Sequence, residues 1–157
     1  QAPMSDPRLA PVTAPEKIHM FVQTPASKCA AMRVMQAWPQ VYGSVSLPNS
    51  ESLLSEGFRC GPGWYPLIER LSADIAAILD EMPLPAFRVL QVKQKFGGLR
   101  FRVTGSNERI LNRIARAQVE AAHTCEGCGG PSRIRSVDMW LTTSCDPCIE
   151  RTRSLRR

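Results

Sequence analysis

Histidine is nearly absent: His19 and His123 are the only two in 157 residues. A chain this poor in imidazole has little to offer for general acid–base chemistry near neutral pH or for a histidine-rich metal centre. Aromatic residues make up only 6% of the chain. No uninterrupted apolar run approaches the ~18 residues that a membrane-spanning helix needs, and residues 1–15 show no apolar signal-peptide core. There is no glycine triplet, no sustained heptad and no repeat of roughly 20–50 residues, which excludes collagen-like, coiled-coil and solenoid architectures. Nor is there an H-E-x-x-H, a G-x-x-x-x-G-K-[ST] or a G-x-S-x-G string. Glu56, Glu69 and Asp74 are available carboxylates, but nothing in the sequence pairs any two of them. The expectation is a protein that is not an enzyme and does not associate with membranes.

What remains is a globular composition: 43% hydrophobic, 22% charged, mean hydropathy −0.18 and a formal charge of +6. The charge is unevenly spread. Residues 1–87 hold six Lys/Arg against eight Asp/Glu, whereas residues 88–157 hold fourteen against six, for formal charges of −2 and +8. A basic half points to an anionic partner, although scattered arginines also serve simply to solvate a surface.

The pattern predicts an α+β fold in which helices pack on a small antiparallel β-hairpin, followed by a C-terminal cysteine module. Residues 1–15 carry Pro3, Pro7, Pro11 and Pro15 and read as an extended arm. A core is expected over 16–122. Thr24-Pro25 caps a helix over about 25–37, with Cys29, Ala30, Met32, Met35 and Ala37 on its apolar face. Residues 39–63 read as loop. A helix over about 65–81 buries Leu67, Leu71, Ile75, Ile78 and Leu79 at spacings of three and four.

A hairpin spans about 87–104 with Gly97-Gly98 at its turn. Strand alternation puts Leu90, Val92, Phe96, Leu99, Phe101 and Val103 toward the core, and Lys93, Lys95, Arg100 and Arg102 on the other face. A helix over about 107–122 buries Ile110, Leu111, Ile114 and the alanines at 115, 117, 121 and 122. The same helix carries Arg109, Arg113 and Arg116 in a second basic row.

The most specific signal is Cys125-Glu-Gly-Cys128-Gly-Gly and, with sixteen residues between Cys128 and Cys145, Cys145-Asp-Pro-Cys148. Two C-x-x-C pairs at this separation have the spacing of a four-cysteine zinc site. Each two-residue knuckle brings two thiolates to one ion, and Gly127, Gly129 and Gly130 permit left-handed turns that aim N–H groups at sulfur. Four thiolates fill a tetrahedron, so one structural Zn2+ is expected, with mononuclear iron, a disulfide pair or a redox dithiol as alternatives. Zinc deaminases require H-x-E before P-C-x-x-C, which His123-Thr124-Cys125 does not supply. Residues 133–137 and 139–143 leave room for a short hairpin, and a basic helix follows the last cysteine. Knuckle, hairpin, knuckle and helix over 123–157 resemble a zinc-ribbon or treble-clef module. Cys29 and Cys60 are expected to be buried free thiols, with a Cys29–Cys60 bridge as the alternative.

Gly63-Trp64-Tyr65-Pro66-Leu67, then Val92-Lys-Gln-Lys-Phe-Gly-Gly-Leu-Arg-Phe101, then the knuckles, resemble small proteins of bacteriophages and prophages over about residues 63–148. The resemblance implies a phage-type origin, the bacterial cytoplasm and reduced thiols, and it carries over no catalytic residue. Two partners follow. A host protein complex, bound as by an inhibitor or adaptor, is placed narrowly first, with Trp38, Tyr42 and Trp140 as anchors. DNA or RNA is the alternative, bound through Lys93, Lys95, Arg100, Arg102, Arg109, Arg113 and Arg116. The objection to it is that the basic face of the hairpin carries no aromatic for bases to stack on.

Overall fold

In a computed structural model, which describes residues 23–155 and 157, the fold is α+β. The proline-rich arm and His19 lie outside the described residues. Helix α1 (Pro25–Ala37) opens on a reciprocal cap. Thr24 Oγ1 accepts from the Ser27 N–H at 3.1 Å, and Ser27 Oγ accepts from the Thr24 N–H at 2.9 Å. Its buried face is Ala31, Val34 and Met35, whereas Cys29 and Ala37 are exposed. Small residues on more than one side of this helix left its facing open to a rotation.

Trp38, ahead of Pro39, ends α1, as the clash between a proline ring and its predecessor demands. The stretch expected as loop is instead largely woven into the core. It contains the short helix α2 (Pro39–Tyr42) and three 3-10 turns, and it buries Val41, Tyr42, Leu54 and Phe58.

Helix α3 (Tyr65–Glu81) is the central element, with Leu67, Leu71, Ile75, Ile78 and Leu79 all buried as the periodicity requires. Strands β1 (Arg88–Lys95) and β2 (Gly98–Thr104) form an antiparallel hairpin. Helix α4 (Glu108–Ala122) follows. Asn107 Oδ1 caps it by accepting from the Ile110 N–H at 2.9 Å. Helix α4 packs against both α3 and β2, closing the core over Val89, Val92, Leu99 and Phe101. Ile110, Ile114, Ala117 and Ala121 face inward, but Leu111 and Ala115 do not.

The hairpin departs from simple alternation at two places. A bulge at Leu90 lets Val89 and Val92, three residues apart, share the core face. The turn is Phe96-Gly97, with φ of 54° and 79°, and Gly98 already pairs with Lys95. Phe96 is therefore not a core residue: it is 67% exposed. The outer edge of β1 is also occupied. The Leu53 N–H donates to Leu90 O, the Arg59 N–H to Val92 O, and the Gln94 N–H to Arg59 O, each within 2.8–2.9 Å.

Emptying the α3 stripe is expected to be costly. Leu71→Ala and Ile75→Ala, both at sites with no solvent exposure, should each lose about 2–5 kcal/mol. Urea unfolding checks this, and a loss under ~0.5 kcal/mol at both sites would contradict the packing.

Candidate metal centre

The chain beyond α4 folds around its cysteines. Strands β3 (Arg135–Val137) and β4 (Trp140–Thr142) form a second hairpin, and helix α5 (Asp146–Leu155) follows it. The first knuckle closes through the Cys125 N–H donating to Gly130 O at 2.7 Å and the Gly129 N–H donating to Cys125 O at 2.8 Å. Of the knuckle glycines, only Gly129 takes a left-handed conformation, at φ 79°. The second pair sits where α5 begins, with the Ile149 N–H donating to Cys145 O at 3.0 Å. Cys148 therefore lies in the first helical turn, where the helix dipole favours negative charge.

The four sulfurs lie within 4.8 Å of one another, and no two of the cysteines form a disulfide. Cys128 Sγ and Cys145 Sγ are 3.7 Å apart. A disulfide requires about 2.05 Å, whereas a tetrahedron with ~2.3 Å metal–sulfur bonds has edges of about 3.8 Å. Backbone donors already point at sulfur: the Cys145 N–H to Cys125 Sγ at 3.2 Å, and the Gly130 N–H to Cys128 Sγ at 3.4 Å. Burial opposes ionisation of Cys125, but N–H groups of Cys145, Cys128 and Gly127 outweigh it and bring the thiol down to about 6. Cys148 is pushed up, first by burial and then by the neighbouring sulfurs. Four thiols this close ionise together only when a cation sits among them. The group can hold one metal ion, and four soft sulfur donors leave no open coordination position.

The supporting contacts fix the ligands in place. The Arg135 guanidinium donates to Ser144 O through both Nε and Nη2, at 3.1 and 2.7 Å, and pairs with Asp146 at 2.6 Å, bracing the second pair from the hairpin. The first knuckle is anchored to the core. The Gly63 N–H donates to Glu126 O and the Gly61 N–H to Glu126 Oε1, both at 2.8 Å, and the buried Trp64 indole donates to Thr124 O at 2.9 Å. Burial pushes the Glu126 carboxyl up to about 7, against the lowering effect of the Gly61 N–H. A Cβ on Gly61 would collide with Glu126 O, and one on Gly63 with Cys125 O. Gly-Pro-Gly thus brings two backbones together where the sequence suggests only a turn. Glu126, inside the cysteine motif, was legible only as a spacer.

The expected partner-binding residues fare unevenly. Tyr42 is 1% exposed, its ring against Phe58 and Phe101 and its hydroxyl donating to Ser72, so it is a core residue and not an anchor. Trp38 is half-buried against the core, and Trp140 is 38% exposed. Arg109 pairs with Glu81 at 2.8 Å and Arg113 with Asp74, so two members of the α4 row are already neutralised by α3. Arg116 is exposed. On the hairpin, Lys93 lies opposite Arg100 and is half-buried, while Lys95, Arg100 and Arg102 are exposed. The Lys95 ammonium sits 5.5 Å from the centroid of the Phe96 ring. Cys29 is exposed, contrary to expectation, and Cys60 is a free thiol beside Glu126. Among known protein families, curated proteins and solved structures, none matches this chain.

Two outcomes follow. Cys125→Ser or Cys148→Ser should abolish ordered structure in the β3–β4–α5 region, because the binding energy of a structural metal is folding energy. Loss of dispersed amide signals from residues 124–155 in an NMR spectrum would show it. Gly63→Ala should weaken docking of the knuckle at a cost of about 1–3 kcal/mol of overpacking, so that the thermal midpoint and the metal affinity fall together. Unchanged values for both would show that the contact between segment and knuckle carries no energy.

Proposed function

We propose that this chain is a non-enzymatic zinc-binding interaction protein whose metal is structural and whose partner is nucleic acid. Zinc is supported by the all-thiolate donor set and the tetrahedral sulfur spacing. The order of knuckle, hairpin and second pair at a helix start is that of a treble clef. The bacterial, phage-type setting and a cytoplasmic location rest on the resemblance alone.

One observation carries the choice of partner. Phe96, expected in the core, stands on the surface beside Lys95 on the hairpin that also exposes Arg100 and Arg102. The objection that the basic hairpin lacks an aromatic no longer applies, and these three cations enter no ion pair among the described residues. A host protein complex remains the second reading. It is favoured by Ile134, Met139 and Leu141, apolar and exposed on the neighbouring metal-held hairpin.

The test is purification of the tagged full chain from bacterial cells without chelator. Elemental analysis should give one zinc per chain, and nucleic acid should co-purify and be released by nuclease. Iron in place of zinc would overturn the metal assignment. Protein partners retained after nuclease, with no nucleic acid bound, would overturn the partner assignment in favour of the host complex.

A further inference from the structure

The β1–β2 tip is unusual in both composition and support. Its two-residue turn has positive φ at both positions, a conformation that favours Asn-Gly because bulky side chains clash there. Here the first position is phenylalanine, which meets a backbone cost and an exposure cost at once. A side chain that would be more stable as asparagine in this turn, and that gains little from burial, is set out for contact.

The tip is also held firmly. Gly97 lies against Ile134 and the backbone of Leu141 and Thr142, and the Gln94 side chain donates to Leu141 O at 3.2 Å. The metal-held hairpin therefore supports the turn from behind. Lys95 sets a cation near the ring, and Arg100 and Arg102 continue along β2. This is an aromatic platform at the end of a short cationic track.

Two forms of nucleic acid could meet such a surface, and the fold separates them. A two-stranded ribbon reads duplex DNA by entering the major groove, which requires the ribbon to stand free. This ribbon does not: its outer β1 edge is occupied by Leu53 and Arg59, and its core face is covered by helices. A tip that carries an exposed aromatic ring beside cations suits bases whose own faces are uncovered, as in an unpaired strand.

Resting on the nucleic-acid reading above, we infer that the β1–β2 tip docks unpaired nucleic-acid strand. Phe96 stacks on a base, and Lys95, Arg100 and Arg102 contact the flanking phosphates. Stacking is indifferent to base identity and phosphate contacts carry no sequence information, so recognition is of strandedness rather than sequence.

The experiment is fluorescence anisotropy with the zinc-loaded full chain at ~50 mM salt, where phosphate contacts are strong. The probes are an oligothymidylate of about 12 nucleotides, within the length one such surface spans, and a mixed-sequence duplex of equal length. The single strand should bind more tightly. Phe96→Asn should weaken it on the order of 10- to 100-fold, the loss of one stacked base, while the thermal midpoint stays level or rises because the turn is relieved. Phe96→Trp should restore binding. Replacing Lys95, Arg100 and Arg102 with Gln should flatten the log–log salt slope by about 0.7 for each phosphate no longer neutralised. Equal binding of duplex and single strand, or a Phe96→Asn variant that binds like wild type, would overturn this inference and leave the nucleic-acid reading in place. A wild-type chain that retains neither probe would overturn both.

Discussion

The structure depends on one meeting of backbones: residues 61–64 pressed against the first cysteine knuckle. Three hydrogen bonds cross it, and two glycines make the approach close enough for them to form. The residues on either side are about sixty positions apart in the chain, so the contact closes a long loop at an entropic cost that grows only slowly with length. Without it, the metal group would be a small module tethered to the end of α4. With it, the four-cysteine group is continuous with the α3 core. The hairpin that the group supports is then pinned again at the β1–β2 tip. A four-cysteine group that can hold a metal ion, with no coordination position left open, thus stands as a joint between two parts of the chain.

Electrostatics divide the basic half in a way that residue counting does not reveal. Arg109 and Arg113 are consumed by carboxylates on α3, Arg135 by Asp146 and Arg153 by Asp138 and Glu150. Most of these pairs are solvent-exposed and contribute little to stability. Their effect is on the field, because they cancel part of the charge over α4 and α5, whereas none of them reaches Lys95, Arg100 and Arg102 on the hairpin. The same composition with the acidic residues moved elsewhere would have given a diffuse positive surface.

The parts of the fold legible in the sequence were those set by a single strong local rule. The α3 stripe repeats at helical spacing, prolines and caps mark the helix ends, and two C-x-x-C pairs announce a shared centre. What escaped was governed by small shifts or by distant neighbours. One extra residue at Leu90 changed which side chains face the core. A one-residue difference in the turn moved Phe96 from the interior to the surface. On α1, Ala30 and Ala37 lie on one side and the buried Ala31 on another, so small residues gave no unique inner face. Tyr42 looked like a surface anchor because its segment lacks periodicity, yet its ring fills the space between Phe58 and Phe101. The role of Glu126 depends on Gly61, sixty-five residues away, and no local pattern encodes such a partner.

The strand-like contacts of Leu53 and Arg59 along β1 bear on how this chain can vary in length. A connection of this composition normally tolerates insertions and deletions readily. Here the backbone is fixed at Leu53 and Arg59 and again at Gly61 and Gly63. Adding or removing one residue among these points would put an N–H where a carbonyl is needed and reverse which side chains face inward. Length changes are therefore confined to the exposed turn at 48–51, and the rest of the segment behaves as a strip of set length with the irregular look of a loop.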